Sequence, residues 1–508
     1  MDNRAFVVRR TAAPPIIHME LHPSTQSRTA RTIRLAPEAL AACRFGLANA
    51  WPDRSAARRL TGVQAACGLL LIGSVALAAW WAPATLLTGL AAGWTVLFAA
   101  AILVRIASAA MVLAGPRRPP PPWQGPLPVY TVLCPLFREA EEVPRLLAAL
   151  DALDYPKQKL DVKLLLEADD AATIAAARRH AQAHVELIVL APCSPRTKPK
   201  ALNAGLMRAH GRFLTVYDAE DAPDTGQLMA ALAAFQAGGS NLACVQAPLL
   251  IDNAGGSWLA AQFALEYALQ FLGLNPLLAR MGLAFPLGGT SNHFRTEALR
   301  SVGGWDAFNV TEDADVGYRL VRDGWALGVI EPPTWEEAPL QLWPWLRQRS
   351  RWIKGHLQTA LVLLRNPVAL WRELEWRQSL ALAASLGLGL ISSFAHGPLL
   401  VWTLWSLASA AAPSWALALL LAGGAAAWLA GLAVAARRGS LCLAGATLSM
   451  AAYWPLASAA AVMALWGLCV APFHWAKTQH GFRSRPKPLR LRWSPASARV
   501  AGAQLSSD

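Results

Sequence analysis

The chain has 508 residues, 55% of them apolar and only 15% charged, against about 25% charged in an ordinary soluble domain. That balance excludes a wholly soluble protein and points to membrane segments framing a polar insert. The net charge of +14 is carried beside the apolar runs, at Arg54, Arg58 and Arg59, at Arg117 and Arg118, at Arg437 and Arg438, and from Lys477 to Arg492; this reads as membrane-flanking charge rather than a nucleic-acid surface.

In chain order, residues 1–60 are basic and aperiodic, and read as a weakly ordered segment with a surface helix near 36–60. The first 30 residues lack the apolar core of a cleaved leader, so the first span serves as an uncleaved anchor. Residues 61–114 hold two apolar runs, each long enough to cross a bilayer of about 30 Å. Their arginine flanks put both outer ends in the cytoplasm. Arg117 to Trp123, with four prolines in a row, is a stiff boundary.

Residues 123–340 differ in kind. Val129–Pro135, Val162–Leu166, Val185–Leu190 and Phe213–Tyr217 have buried-strand patterns. Helical patterns at 140–152 and 171–183 alternate with them, which predicts an α/β domain with a parallel sheet. Residues 257–285 have a helical period and suit either core or an interfacial helix. Residues 341–377 mix five tryptophans with arginine and lysine, as a helix at the membrane surface would. Apolar runs resume over 379–472. The last of them, about 441–472, is broken by Pro455, and an even number of crossings requires a hairpin there. The expectation is therefore about four spans after the insert, then a basic cytoplasmic tail at 473–508. The seven scattered cysteines have no metal-ligand spacing.

Three acidic clusters stand out: Glu167, Asp169 and Asp170 after the second strand; Asp218, Glu220 and Asp221 after the fourth; Glu312, Asp313 and Asp315 after a Gly-Gly-Trp turn. Acids at the carboxyl ends of parallel strands gather at the ligand edge of the sheet. Their mutual repulsion calls for a cation. Asp218 and Glu220 share one side of an extended segment, as a metal pair would. Lys200, at the start of a predicted helix, is positioned for a phosphate, with a solvated basic loop as the alternative. Gln348, Arg351 and Trp352 lie on one helical face and present an amide, a planar cation and a flat ring together.

Gln348-x-x-Arg351-Trp352, Thr311-Glu312-Asp313, Asp169-Asp170 and Asp218-x-Glu220, in this order and between apolar runs, resemble the motifs of the processive family 2 glycosyltransferases, the group of cellulose, hyaluronan and chitin synthases. The resemblance covers about 128–481. It implies a GT-A-type cytoplasmic domain inserted between transmembrane helices of a multi-pass inner-membrane protein. It also implies an inverting transfer from a nucleotide-diphosphate sugar, UDP-linked or GDP-mannose, onto a growing β-glycan that is passed across the bilayer, with room for accessory secretion subunits. The alternative is a non-processive enzyme acting on a lipid-linked acceptor. By the same resemblance Glu139, Asp169 and Asp170 contact the nucleotide, and Lys200 the diphosphate. Asp218 and Glu220 hold Mg²⁺ or Mn²⁺, and Asp313, beside Glu312, is the general base. Gln348, Arg351 and Trp352 form the acceptor and diphosphate platform, which Asn292 or His293, and Trp305, extend; a structural histidine and a core tryptophan are the alternatives. Trp475, Lys477, Thr478 and His480 resemble a gating loop, with a juxtamembrane anchor as the alternative. The family has Asp where this chain has Glu220, so Asp221 is an alternative second ligand.

Overall fold

The computed structural model describes residues 30–115, 118–409 and 414–475. The first strand, β1 (Arg31–Arg34), falls in the segment expected to be weakly ordered, and helix α1 (Pro37–Ala50) in the stretch expected to carry a surface helix. Instead β1 extends the edge of the main sheet beside β4 (Val185–Leu190). Leu40, Cys43 and Leu47 of α1 are buried. Further on, Ser55 Oγ and the Ala56 amide both donate to Asp306. The apolar side of α1 is too short-range a signal to predict such docking, because its partner helix lies about 150 residues away.

Helices α2 (Gly62–Trp81) and α3 (Pro83–Ala114) follow, apolar on every side. The domain then runs through β2 (Tyr130–Leu136), α4 (Val143–Asp151), β3 (Leu160–Glu167), α5 (Ala171–His180), β4 and α6 (Lys198–Met207). It continues through β5 (Phe213–Val216), β6 (Ala222–Pro223), α7 (Gln227–Ala237), β7 (Leu242–Gln246) and β8 (Leu249–Ile251). Helix α8 (Trp258–Leu269) passes through a π-helical turn, Gln270–Leu274, into α9 (Asn275–Arg280). The remaining elements are β9 (Asn292–Arg295), α10 (Thr296–Ser301), α11 (Glu312–Arg322), β10 (Ala326–Val329) and β11 (Thr334–Glu336).

The main sheet has eight strands in the order β1-β4-β3-β2-β5-β9-β7-β10. All neighbours are parallel except β9, which runs antiparallel to both β5 and β7. The central strands are buried on both faces, which explains their unbroken apolar runs. The sheet is thus mixed where the alternating pattern predicted a parallel one: the long excursion through β8, α8 and α9 brings the chain back into the sheet at β9 in the opposite direction. A small sheet, β6-β11-β8, caps the carboxyl edge. The stretch over 257–285 is largely core: most of α8 is buried, and Gly273 lets the π-turn close directly on the backbone of Ser108 in α3.

After the domain come α12 (Leu342–Leu363), α13 (Pro367–Glu373), α14 (Trp376–Leu382), α15 (Leu388–Ala408), α16 (Ser414–Arg438), α17 (Leu441–Thr447), α18 (Met450–Tyr453) and α19 (Pro455–Val470). A second π-helical turn, Ala383–Gly387, joins α14 to α15. Among the described residues, five helical stretches are long and apolar enough to cross a membrane, two before the domain and three after it. The expected hairpin in the last run is absent. Helices α17 and α18 are too short to span, and only the stretch Met450–Val470 qualifies. Helix α17 packs instead beside α8, where Gln262 Nε2 donates to the Ala446 carbonyl.

Candidate active site

The carboxyl ends of β2, β3 and β5 open into a cavity of about 390 Å³. Its lining includes Glu139, Lys198, Asp218, Glu220, Glu312, Asp313, Gln348, Arg351, Trp352 and Trp475, and it reaches Ser385, Gly389 and Ser393 in the third apolar stretch. Residues from four distant sections of the chain meet here because the sheet order brings their strand ends together.

Helix α11 begins at the cavity wall and places Glu312 and Asp313 in its first turn. Burial raises the pKa of Glu312 to about 7, and the charge of Asp313 adds to the shift. Burial also raises Asp313, while an amide hydrogen bond from Ala314, Lys198 and Arg351 pull it back. Helix α12 crosses α11 at Gly355, where a Cβ would strike the Thr311 side chain. That close approach puts Arg351, one turn earlier, beside the acids; its guanidinium is depressed by burial and held charged by Glu312, Asp313 and Asp218.

Lys198 opens α6 and reaches into the cavity. Its Nζ lies 2.5 Å from Asp218 Oδ1 and donates to the Gly289 carbonyl at 2.7 Å. Burial works against its charge, but Asp218 and Glu312 outweigh that and raise its pKa. This corrects the sequence reading of Lys200. That side chain is fully buried and paired at 2.7 Å with Glu167. Helical geometry decides the matter: two residues apart on a helix means opposite faces.

Asp218 and Glu220 both line the cavity, while Asp221 turns away from it. Asp221 is buried and accepts from the Thr290 hydroxyl and from the Asp218 amide at 2.7 Å. Burial, then Asp218, raises its pKa well above the usual range. Two carboxylates at one wall suit a hard cation that takes its other oxygens from a diphosphate and water. Among the described residues no group of three or more His, Cys, Asp or Glu could hold a metal unaided.

At the other end, Glu139 lines the cavity and its carboxylate accepts from the Phe137 amide. Asp169 is not among the lining residues, but it pairs at 2.8 Å with Arg196, which is. Asp170 caps α5, accepting from the amides of Thr173 and Arg138, which fixes the loop rather than facing the cavity. On the acceptor side the structure favours the alternatives, a structural histidine and a core tryptophan, and Asn292 is buried too. Asn292 and His293 lie in β9 at the middle of the sheet, almost fully buried. The His293 ring is hydrogen-bonded between Tyr130 and Gln227, and burial depresses it to about 3. Trp305 is buried against Phe294. Extended segments alternate faces, and the sequence alone does not tell a sheet interior from a cavity wall.

The Gln/Arg/Trp face of α12 does reach the cavity. Trp352 stacks on Tyr267 at 6.0 Å and 27°. The Arg349 guanidinium, which the sequence reading passed over, lies 4.8 Å from the Trp352 ring and forms a two-point pair with Glu266 at 2.7 and 2.5 Å. Tyr453 donates to the same carboxylate at 2.8 Å. Of the expected gating residues, Trp475 lines the cavity, with Arg351 5.5 Å from its ring. Lys477, Thr478 and His480 lie outside the described residues. The approach to Trp475 is pinned from below, since Lys354 Nζ donates to the carbonyls of Ala471 and His474.

Residues 213–465 match the model of the glycosyl transferase family group 2. A beta-monoglucosyldiacylglycerol synthase of Trichormus variabilis is 28% identical over 49% of this chain and 54% of its own length. A glucomannan 4-beta-mannosyltransferase of Oryza sativa is 23% identical over 49% of this chain and 50% of its own. The chain therefore spans about half the length of these curated relatives. A Pyrobaculum calidifontis mannosyltransferase solved with GDP-Man and Mn²⁺ aligns with 73% of this chain and 99% of its own, at 19% identity and a TM-score of 0.45, too distant to bear on substrate. By the family match and its mixed α/β sheet, the chain carries a GT-A-type domain of the family 2 glycosyltransferases.

Proposed function

We propose that this chain transfers a sugar, with inversion, from a nucleotide-diphosphate sugar to a glycan hydroxyl, and that the glycan grows along the cavity toward the membrane helices. One observation carries the reading. Gln348 Oε1, Arg351 Nε and Trp475 Nε1 are buried cavity-lining groups without a hydrogen-bond partner among the described residues. Three such groups around Glu312 and Asp313 are costly unless a polar ligand satisfies them.

Asp313 accepts the proton of the attacking hydroxyl, which is a poor nucleophile until a positioned carboxylate draws on it. Attack comes from the side of the sugar carbon opposite the diphosphate, whose charge builds up as the bond breaks. Lys198 and Arg351 are placed to take that charge. Asp218 and Glu220 are the residues that would hold Mg²⁺ or Mn²⁺, which when bound supplies further positive charge to the leaving group. Trp352, backed by Tyr267, offers a flat apolar face to an acceptor ring.

A second reading has its own support. The cavity ends in an apolar helix at Ser393, and a lipid-linked acceptor would enter from there; the relative from Trichormus variabilis is named for glucosyldiacylglycerol synthesis. The experiment is incubation of membranes holding the full chain with UDP-glucose, UDP-N-acetylglucosamine and GDP-mannose, each radiolabelled, followed by sizing of the product. Label in long chains supports the polymer reading. Label confined to a short lipid-extractable species overturns it in favour of the lipid acceptor.

A further inference from the structure

Arg105 stands on α3, whose 32 residues exceed what a bilayer requires. From Pro83 to Val104 the helix already rises about 33 Å, the full hydrocarbon thickness. Just beyond Arg105, Ser108, Ala109 and Val112 are buried against the domain. Arg105 therefore lies toward the domain end of α3, one turn before the residues that pack against the domain.

Its guanidinium lies 4.3 Å from the Trp454 ring, and the His396 ring packs 5.5 Å from the same indole. Arg105 has no ion pair and no hydrogen-bond acceptor among the described residues. An aromatic face attracts the charge but does not satisfy five N–H donors as oxygen atoms do. The frame around this cation is fixed. Ser458 Oγ donates to the Ser393 carbonyl at 2.8 Å and accepts from the Gly397 amide at 2.9 Å, which locks α15 to α19. His396 is also less than one turn beyond Ser393, the last cavity-lining residue of α15.

We propose that Arg105, framed by Trp454 and His396, binds the phosphate of a membrane lipid beside the membrane end of the cavity. A guanidinium presents paired donors that match two phosphate oxygens. A charged donor set left open on an apolar helix calls for a partner of opposite sign. Phosphate is the anion that membrane lipids carry. The site stands whichever acceptor the enzyme uses.

The test reads binding and not transfer, so its outcome is separate from that of the product-sizing experiment. The full chain in detergent is titrated with phosphatidic acid, with diacylglycerol of the same acyl chains, and with inorganic phosphate, and adducts are read by native mass spectrometry. The expected result is a retained phosphatidic acid adduct that weakens at least tenfold in Arg105→Gln and to a smaller extent in Arg105→Lys, which keeps the charge but not the paired donors. Equal retention by Arg105→Gln, or equal binding of diacylglycerol, overturns the proposal. Displacement of the lipid by equimolar inorganic phosphate overturns its lipid part and assigns the site to a soluble anion. Because Arg105→Gln can fail by misfolding, a photoactivatable phosphatidic acid is also crosslinked to the unaltered chain. Labelled peptides containing Arg105, His396 or Trp454 support the site; labelling only elsewhere overturns it.

Discussion

Lys198 Nζ and Asp218 Oδ1 meet 2.5 Å apart inside the cavity, so the lysine occupies the side of Asp218 where a diphosphate and its cation would bind. Lys200, two residues on, is fully buried behind the wall and paired with Glu167, which itself lines the cavity. The two lysines therefore fail in different ways. Lys198→Met should fold normally and lose about 10²–10³ in kcat as a charge-stabilising group is removed. Lys200→Met should cost about 3–5 kcal/mol of stability by leaving Glu167 buried and uncompensated. Denaturant melts alongside initial rates separate them, and the reverse pattern would refute the assignment.

Asp313→Asn should lower kcat about 10²–10⁴-fold with little change in nucleotide-sugar binding, as loss of a general base does. The pH profile follows from the same geometry. Burial raises both Glu312 and Asp313, with Glu312 at about 7. A base works ionised, so activity is full above the raised values and falls as pH drops through them. The acid limb should lie well above the ordinary carboxylate range, and its apparent constants belong to the pair. An acid limb near pH 4 would contradict it.

Chelation should abolish transfer, and Mg²⁺ or Mn²⁺ should restore it. Glu220→Gln should raise the half-saturating metal concentration about tenfold or more, given the loss of one anionic oxygen ligand. Asp221→Ala should leave that concentration unchanged and cost about 1–3 kcal/mol of stability, because the Asp218 amide loses its carboxylate acceptor. Metal titrations of both variants decide between the two carboxylates.

Arg349→Lys should loosen Trp352 without touching the acids. Lysine cannot reproduce the two-point pair with Glu266 or lie as a plane over the ring. The expected signature is an acceptor KM raised about tenfold with kcat nearly kept. A drop in kcat at unchanged KM would place Arg349 in the chemistry instead.

Much of this was legible in one dimension. The strands over Val185–Leu190 and Phe213–Val216 announce themselves because a strand buried on both faces must be apolar throughout. Asp218, Asp313, Arg351 and Trp352 stand in compact motifs, and the structure brings all four to one cavity. Where the sequence reading failed, the failures share a cause. Asn292, His293 and Trp305 are polar or aromatic residues near motifs, yet they face the sheet interior. Lys200 instead of Lys198 is a choice between near neighbours that two helical steps send to opposite faces, and the turn at Ala219–Glu220 leaves Glu220 at the cavity and Asp221 away from it.

The sequence by itself determined the strand and helix types, the apolar stretches and the charged motifs, since these depend on periodicity and on residues within a few positions of one another. Only the tertiary structure decided which side chains share the cavity, that β9 runs antiparallel, and that α1 docks on the domain. It alone joined Arg349 to Glu266 and Arg105 to Trp454, contacts between segments 83 and about 350 residues apart. Such contacts are set by the sheet order and helix crossings of the whole chain, and no local pattern encodes them.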